Sequence, residues 1–292
     1  MDIPEHWEAI TAELDKGMIM IIGGPDTGKT TFCQYLFQRL SDQHRSVAII
    51  DGDPGQSRLG PPTTMTLSVG SDVRRVFVGS TSPVRHMLPM MVGAQRLVAE
   101  AKGAQAEIIL YDTTGLIDET QGGVSFKQAK IDLLRPNFII ALQRGKELEP
   151  ILAPFRKRGP YRIIDAKPSL AAQTRNMFMR RRYRRLQFSK YFEHSHRLVL
   201  DWTKFAVFPR PFFTVYGLVA LEDRSGFTLV LGIVIDLRPP YREATLLLPK
   251  TDITQASAIR IGDIVVDPVS FEDQKIKSVE GRSPIAQSGP GP

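Results

Sequence analysis

The chain has 292 residues, 42% of them hydrophobic and 24% charged, the balance of a folded globular protein and not of a disordered or fibrous one. Its single cysteine, Cys33, excludes an internal disulfide framework and any cysteine-rich metal site. The net charge of +7 is local: residues 175–190 carry seven basic side chains and no acid, while the remaining 31 basic residues match the 31 acids. With no run of 18 apolar residues and no basic-then-apolar leader pattern, a soluble, cytoplasmic chain that makes no membrane contact is expected.

In chain order, the first element expected is a short amphipathic helix opening at Ile3-Pro4, with Trp7, Ile10 and Leu14 on the face that packs on the core. After Gly17 an apolar run, Met18 to Ile22, ends in Gly23-Gly24-Pro25-Asp26-Thr27-Gly28-Lys29-Thr30-Thr31, and amphipathic helix material follows to Leu40. Strand, Gly-x-x-x-x-Gly-Lys-Thr turn and helix together form a phosphate-binding loop in its required context. Inward-turned backbone N–H groups and a helix N-terminus surround a polyphosphate, Lys29 reaches the β- and γ-phosphates, and the Thr30 hydroxyl holds Mg²⁺. A nucleoside triphosphate is therefore the expected ligand.

A second strand, Ser46 to Asp51, leads into Asp51-Gly52-Asp53-Pro54-Gly55-Gln56-Ser57 and Gly60-Pro61-Pro62-Thr63-Thr64. Acids at the end of a buried strand beside a phosphate loop sit where an open α/β sheet places its chemistry. Asp53 suits a metal-directing or nucleophile-directing role, and a turn capped by two Asp residues is the plainer alternative. Arg74 to Gly79 reads as a third strand, 81–86 as a loop with a lone His86, and Met87 to Ala101 as a helix. Glu107 to Asp112 is a buried strand followed by Thr113-Thr114-Gly115. An acid there orients a Mg²⁺-bound water, and Asp-x-x-Gly can sense a γ-phosphate. A helix to Leu134, a strand from Asn137 to Leu142, a helix from Glu147 to Arg158 and a strand from Tyr161 to Asp165 complete the alternation.

That alternation predicts an α/β fold with a mostly parallel sheet flanked by helices. The arginine-rich segment comes next. At helical spacing Met179, Tyr183 and Leu186 share one face, which can pack down, and Arg180 and Arg184 share another. Beyond His196 the runs 212–221, 228–236, 244–248 and 259–266 read as β. The expected organisation is a packed helix over 1–16 and a phosphate-loop domain over 17–194 with its lid at 170–193. A small β-rich domain over 195–274 and a disordered tail over 275–292 follow.

These motifs resemble the polynucleotide 5′-hydroxyl kinases, which include the RNA kinase of the pre-mRNA cleavage machinery, a nucleolar rRNA-processing kinase and compact microbial relatives. The resemblance runs over about residues 3 to 270 and rests most on Asp51-x-Asp53-x-Gly-Gln56 before the Pro-Pro loop. It implies transfer of the ATP γ-phosphoryl to the 5′-hydroxyl of RNA or single-stranded DNA, with ATP and Mg²⁺ as cofactors. Asp53 contacts the acceptor hydroxyl. Mg²⁺ sits on Thr30 with Asp112 and Gln56 in its outer shell, and Arg175, Arg180 and Arg184 fall on the lid arginines. Nucleic-acid contacts are implied for Gln56, Thr63, Thr64, Thr113, Gly115, Arg175, Arg181 and Arg182. Lys29, Asp53, Arg180 and Arg184 are the implied catalytic set.

One departure stands out: the family's Thr-x-Gly-Trp clasp reads Thr113-Thr-Gly-Leu116 here. Weak discrimination between terminal bases follows, because an aliphatic side chain stacks poorly. A nucleotide-dependent switch or assembly ATPase that binds nucleic acid without phosphorylating its end is the rival reading, although no Asn-Lys-x-Asp guanine motif occurs.

Overall fold

The computed structural model describes residues 4–43, 45–169 and 174–276. The expectations for residues 1–3, for 170–173 of the lid and for 277–292 of the tail lie outside the described residues. In order, the chain forms α1 (Glu5–Glu13), β1 (Gly17–Gly23), α2 (Lys29–Asp42), β2 (Val47–Asp51), β3 (Thr64–Val69), β4 (Asp72–Phe77) and α3 (Met87–Gly103). Next come β5 (Ile108–Asp112), α4 (Gly123–Leu134), β6 (Phe138–Leu142), α5 (Glu149–Lys157), β7 (Arg162–Ala166) and α6 (Met177–Tyr191). Strands β8 (Ser195–Asp201), β9 (Ala206–Phe208), β10 (Gly217–Glu222), β11 (Thr228–Arg238), β12 (Glu243–Pro249), β13 (Ala258–Val266) and β14 (Asp273–Lys275) follow.

The first sheet runs β4-β3-β2-β5-β1-β6-β7, parallel from β2 to β7, with β3 and β4 added antiparallel at one edge. The mostly parallel α/β reading holds, and the antiparallel edge is new. No strand was expected between Asp51 and Arg74, yet β3 forms there, with Thr64, Met65 and Thr66 buried. Strand alternation divides the core in two. Met18, Met20 and Ile22 point to the layer holding Met90, Leu97, Phe126 and Leu152. Ile19 and Ile21 point the other way, to Phe32, Leu36 and the helix α1. Trp7 of α1 is fully buried, its ring 4.7 Å from Phe32 and 5.4 Å from Tyr35.

The second sheet is antiparallel, in the order β14-β13-β10-β11-β12-β8, with β9 pairing parallel on β13. Two expectations are corrected here. Residues 212–216 are not strand, because Gly217 N–H bonds back to Thr214 O at 2.8 Å and Tyr216 takes a left-handed φ of 66°. The last strand reaches Lys275, inside the segment expected to be tail.

The lid helix also differs from its expected packing. Met179 and Leu186 are exposed, and Phe188 is its fully buried residue, packed in a cluster with Phe192, Leu218 and Ile264 of the second sheet. Asn176 starts the helix by accepting Met179 N–H at 2.9 Å. The lid therefore rests on the β-rich half and projects its N-terminal end toward the first sheet.

Candidate active site

Parallel register sets the site. Ile21 of β1 lies opposite Asp112 of β5, which lies opposite Asp51 of β2, so three strand ends stand side by side. This crevice beyond the carboxyl ends of the strands is where a sheet of this kind binds ligands. The loop from Gly23 to Gly28 leaves β1 here and enters α2 at Lys29. Gly28 caps that helix with φ 85°, a left-handed value that glycine takes without strain. Inside the loop, Lys29 Nζ donates to Gly24 O at 2.6 Å and Thr27 Oγ1 donates to the same carbonyl at 3.0 Å. Burial lowers the pKa of Lys29, while Asp112 and Asp53 oppose that shift.

A cavity of about 290 Å³ opens over the loop. Pro25, Asp26, Gly28, Lys29, Thr30 and Thr31 form its floor, and Asp53, Gln56, Arg58, Thr113 and Gly115 one wall. Arg175, Met179 and Arg180 of the lid close it from above. Gly23 and Gly24 are buried beneath.

The turn after β2 is built on two aspartates. Asp51 Oδ2 accepts Arg58 N–H at 2.6 Å, Leu59 N–H at 3.1 Å and Ser57 Oγ at 2.9 Å. Burial raises its pKa, and the three donors counter that shift. Asp53 Oδ1 accepts Gly55 N–H at 2.9 Å and Gln56 N–H at 3.2 Å. Asp53 thus caps its turn with one oxygen and faces the cavity.

Asp112 is almost completely buried, and its carboxyl is pushed up to about 7, first by burial and then by its register neighbour Asp51. Lys29 and a hydrogen bond from Thr30 pull it back. Its Oδ1 and the Oε1 of Gln56 are buried with no hydrogen-bond partner among the described residues. Two orphaned oxygens beside a hydroxyl suit a hard divalent cation. Among the described residues no group of three or more His, Cys, Asp or Glu side chains could hold a metal. That is the usual case for Mg²⁺, which takes one or two carboxylates and completes its shell with phosphates and water.

The lid is tied to the loop through Asp26, whose Oδ2 accepts Arg180 Nη2 at 2.7 Å and Arg175 N–H at 3.1 Å. Arg180 Nε also donates to Arg175 O at 3.1 Å. Arg175 precedes α6, so it reaches the cavity from a turn and not from the helix face. Tyr183 donates to Ser57 O at 2.8 Å, fastening the lid to the Asp51–Ser57 turn.

Other expected residues stand apart. Arg184 Nε lies 2.9 and 3.1 Å from the two carboxylate oxygens of Asp273 and does not line the cavity. Thr63 and Thr64 are fully buried under the turn, with Thr64 Oγ1 donating to Pro61 O at 2.8 Å. Arg181 and Arg182 are exposed on the outer face of the lid.

Sequence reasoning missed Arg58, Met179 and two lysines of α4. Lys127 and Lys130 are completely buried, and among the described residues their ammonium groups bond to Thr114 and Tyr111 and to no carboxylate. Lys127 Nζ donates to Thr114 O at 2.6 Å, steadying the Asp112–Gly115 turn, and burial drives its pKa down. Lys130 Nζ lies 4.2 Å over the Phe126 ring and 3.3 Å from Tyr111 Oη, and burial pushes its pKa down to about 7. Their i, i+3 spacing was the available signal, since it sets both on one helix face.

A family model, mRNA cleavage and polyadenylation factor CLP1 P-loop, matches residues 23–194. The polyribonucleotide 5′-hydroxyl-kinase of Pyrococcus furiosus is 35% identical over 208 residues, which cover 66% of this chain and 57% of that protein. The one from Methanocaldococcus jannaschii is 33% identical over 208 residues, covering 66% and 56%. The matched stretch thus spans little more than half the length of these relatives. A solved structure of the wild-type Clp1p–Pcf11p complex shares the fold, with a TM-score of 0.65 at 13% identity over 89% of this chain and 77% of that one. With its phosphate loop, paired aspartates and lid all inside the matched span, the chain belongs to the mRNA cleavage and polyadenylation factor CLP1 P-loop family.

Proposed function

We propose that the protein is an ATP-dependent polynucleotide 5′-hydroxyl kinase acting on RNA and on single-stranded DNA. The observation that carries this reading is the position of Asp53, on the wall of a cavity whose floor is a triphosphate loop and whose roof is an arginine lid. A wall acid with one oxygen committed to its turn is placed to orient an oxygen nucleophile at the γ-phosphate. The names of the archaeal relatives, polyribonucleotide 5′-hydroxyl-kinases, support RNA as the substrate class.

In the reaction the acceptor 5′-oxygen forms a bond to the γ-phosphorus while the bond from that phosphorus to the β,γ-bridging oxygen breaks, and ADP leaves. Asp53 receives the hydroxyl proton on Oδ2 as the O–P bond forms. Lys29 and the loop amides hold the β- and γ-phosphates, and Arg180 neutralises charge on the transferring group. Arg175 holds acceptor or nucleotide phosphate from the turn before the helix, and Arg181 and Arg182 attract the strand. The resemblance also gives Arg184 to the transferring group. Because its guanidinium is committed to Asp273, we assign that charge to Arg180.

Thr30 would hold Mg²⁺, with Asp112 and Gln56 in its outer shell. When bound it would neutralise charge shared between the β- and γ-phosphates. Thr113 donates to Ile21 O at 2.8 Å, which fixes the turn that presents Gly115 to the acceptor. We place the reaction in the cytoplasm, where ATP is available.

The test is ADP release in the presence of Mg²⁺, with matched RNA oligonucleotides bearing either a 5′-hydroxyl or a 5′-phosphate. Release that rises with the first and not with the second supports the kinase. Equal release with either end favours a nucleic-acid-stimulated ATPase.

A further inference from the structure

A second cavity, about 750 Å³, lies between the two sheets and is walled on one side by the loop from Ser80 to His86. That loop is the outer neighbour of the Asp53 turn: a Cβ placed on Gly55 would collide with the carbonyl of Thr81. Only glycine lets the two loops meet so closely. Across the cavity stand Arg210, Phe212, Asp263 and Lys275 of the second sheet and its connections.

The charge in this cavity is net positive, three cations against the single carboxylate of Asp263. Arg85, Arg210 and Lys275 are exposed, and among the described residues no carboxylate pairs with any of them. The carboxylate of Asp263 faces His86, whose Nε2 lies 2.8 Å from Oδ2, and not the three cations. Arg85 takes a left-handed φ of 70°, unusual for a bulky residue and the sort of backbone strain that clusters at ligand sites. The ring of Phe212 is 44% exposed beside these cations.

We infer that this cavity binds the part of the acceptor polynucleotide that follows its 5′-terminal nucleotide, with phosphodiesters on Arg85, Arg210 and Lys275 and a base against Phe212. The inference rests on the kinase reading, and its direction comes from the close approach of Gly55 in the Asp53 turn to Thr81 in the loop that walls the cavity. Three unpaired cations and an open ring are the combination that tracks a single strand, charge for the backbone and a π-face for a base. An acidic peptide would use the same charge, and displacement by polyglutamate separates it from a strand.

The experiment compares wild type with the Arg85→Gln/Arg210→Gln/Lys275→Gln variant and with Phe212→Leu. Binding is read by fluorescence anisotropy with 3′-labelled, 5′-phosphorylated di- and octanucleotides, which need no turnover. The triple variant should lose about tenfold or more in octanucleotide affinity, with a smaller loss for the dinucleotide. Its slope of log affinity against log salt should flatten by about 2, near 0.7 for each lost phosphate contact. Phe212→Leu should weaken octanucleotide binding without changing that slope. Equal losses for both lengths, or an unchanged slope in the triple variant, would overturn the assignment. Displacement of the octanucleotide by a polyglutamate of equal charge as readily as by RNA would overturn it in favour of an acidic protein partner. Failure of the kinase reading itself would show separately, as wild-type binding without any phosphorylation of 5′-hydroxyl ends.

Discussion

Arg180 of the lid and Asp26 of the phosphate loop form an ion pair at 2.7 Å, with the Arg175 N–H on the same carboxylate oxygen at 3.1 Å. The lid is therefore held against the triphosphate site by a group that belongs to the site. An incoming γ-phosphoryl group would compete with Asp26 for the same guanidinium.

This exchange predicts that Asp26→Asn loosens the lid in the free protein. A half-buried pair of this kind contributes about 1 kcal/mol, so amide exchange across residues 175–184 should accelerate several-fold. A non-hydrolysable ATP analogue should erase the difference, because phosphate then takes over the arginine. Unchanged exchange in the free protein would mean that Tyr183 and Ser57, not Asp26, hold the lid.

Arg184 and Arg180 should separate under mutation. The Arg184–Asp273 pair is 13% and 7% exposed, so removing either partner strands a nearly buried charge, at a cost of about 3 kcal/mol. Arg184→Ala and Asp273→Ala should each lower stability in urea by about that much, and the double variant should recover part of it. Arg180→Ala should change stability little and lower kcat by about 10³-fold or more. A kcat collapse in Arg184→Lys with unaltered stability would return the transferring charge to Arg184.

Lys130 gives a pH signature. Its folded pKa of about 7 lies below its ordinary value of 10.5, with burial the cause. Between those values the unfolded chain carries a proton that the folded chain has released, so stability rises with pH across that window. Below it both states are protonated and the burial penalty is present in full. Lys130→Met should therefore raise the thermal midpoint most at about pH 7 and below, with the gain shrinking toward about pH 10. Melting curves of the variant that run parallel to wild type across this range would contradict the assignment.

By the resemblance in its Thr113-Thr-Gly115 motif, Leu116 falls on the clasp position that the polynucleotide kinases fill with Trp. A stacking ring contributes roughly 1–3 kcal/mol per base, so Leu116→Trp should tighten binding of a 5′-hydroxyl oligonucleotide by about tenfold. Wild type should treat the four terminal bases nearly alike. A strong native preference, measured as kcat/KM over matched oligonucleotides, would mean that another side chain reads the base.

The phosphate loop and the strand-end acids were legible because their chemistry fixes residue types at short spacing. Pro25, Asp26, Gly28 to Thr31, Asp53 and Gln56 of these two motifs line one cavity. Strand β3 was hidden, because threonine-rich sequence after Pro-Pro looks like loop and its burial depends on β2 and β4 arriving on either side. The lid was legible as a helix and as a charge, but not in its partners. Arg180 and Arg184 share a face, yet Asp26 and Asp273 divide them, and Asp273 lies 89 residues away from Arg184 in the chain. Lys127 and Lys130 drew no reading from the sequence, and it is the fold that buries them.

The central claim is that Asp53 directs an acceptor hydroxyl to the γ-phosphoryl group. The most direct measurement is transfer of label from γ-labelled ATP to the 5′-end of a 5′-hydroxyl RNA, wild type against Asp53→Asn, with ATP affinity measured in parallel. Asparagine can still accept the Gly55 and Gln56 N–H groups, so the turn should survive. Loss of the base should lower kcat by about 10²–10⁴-fold and leave ATP affinity within a few-fold. Label transfer by Asp53→Asn at near wild-type rate would contradict the account.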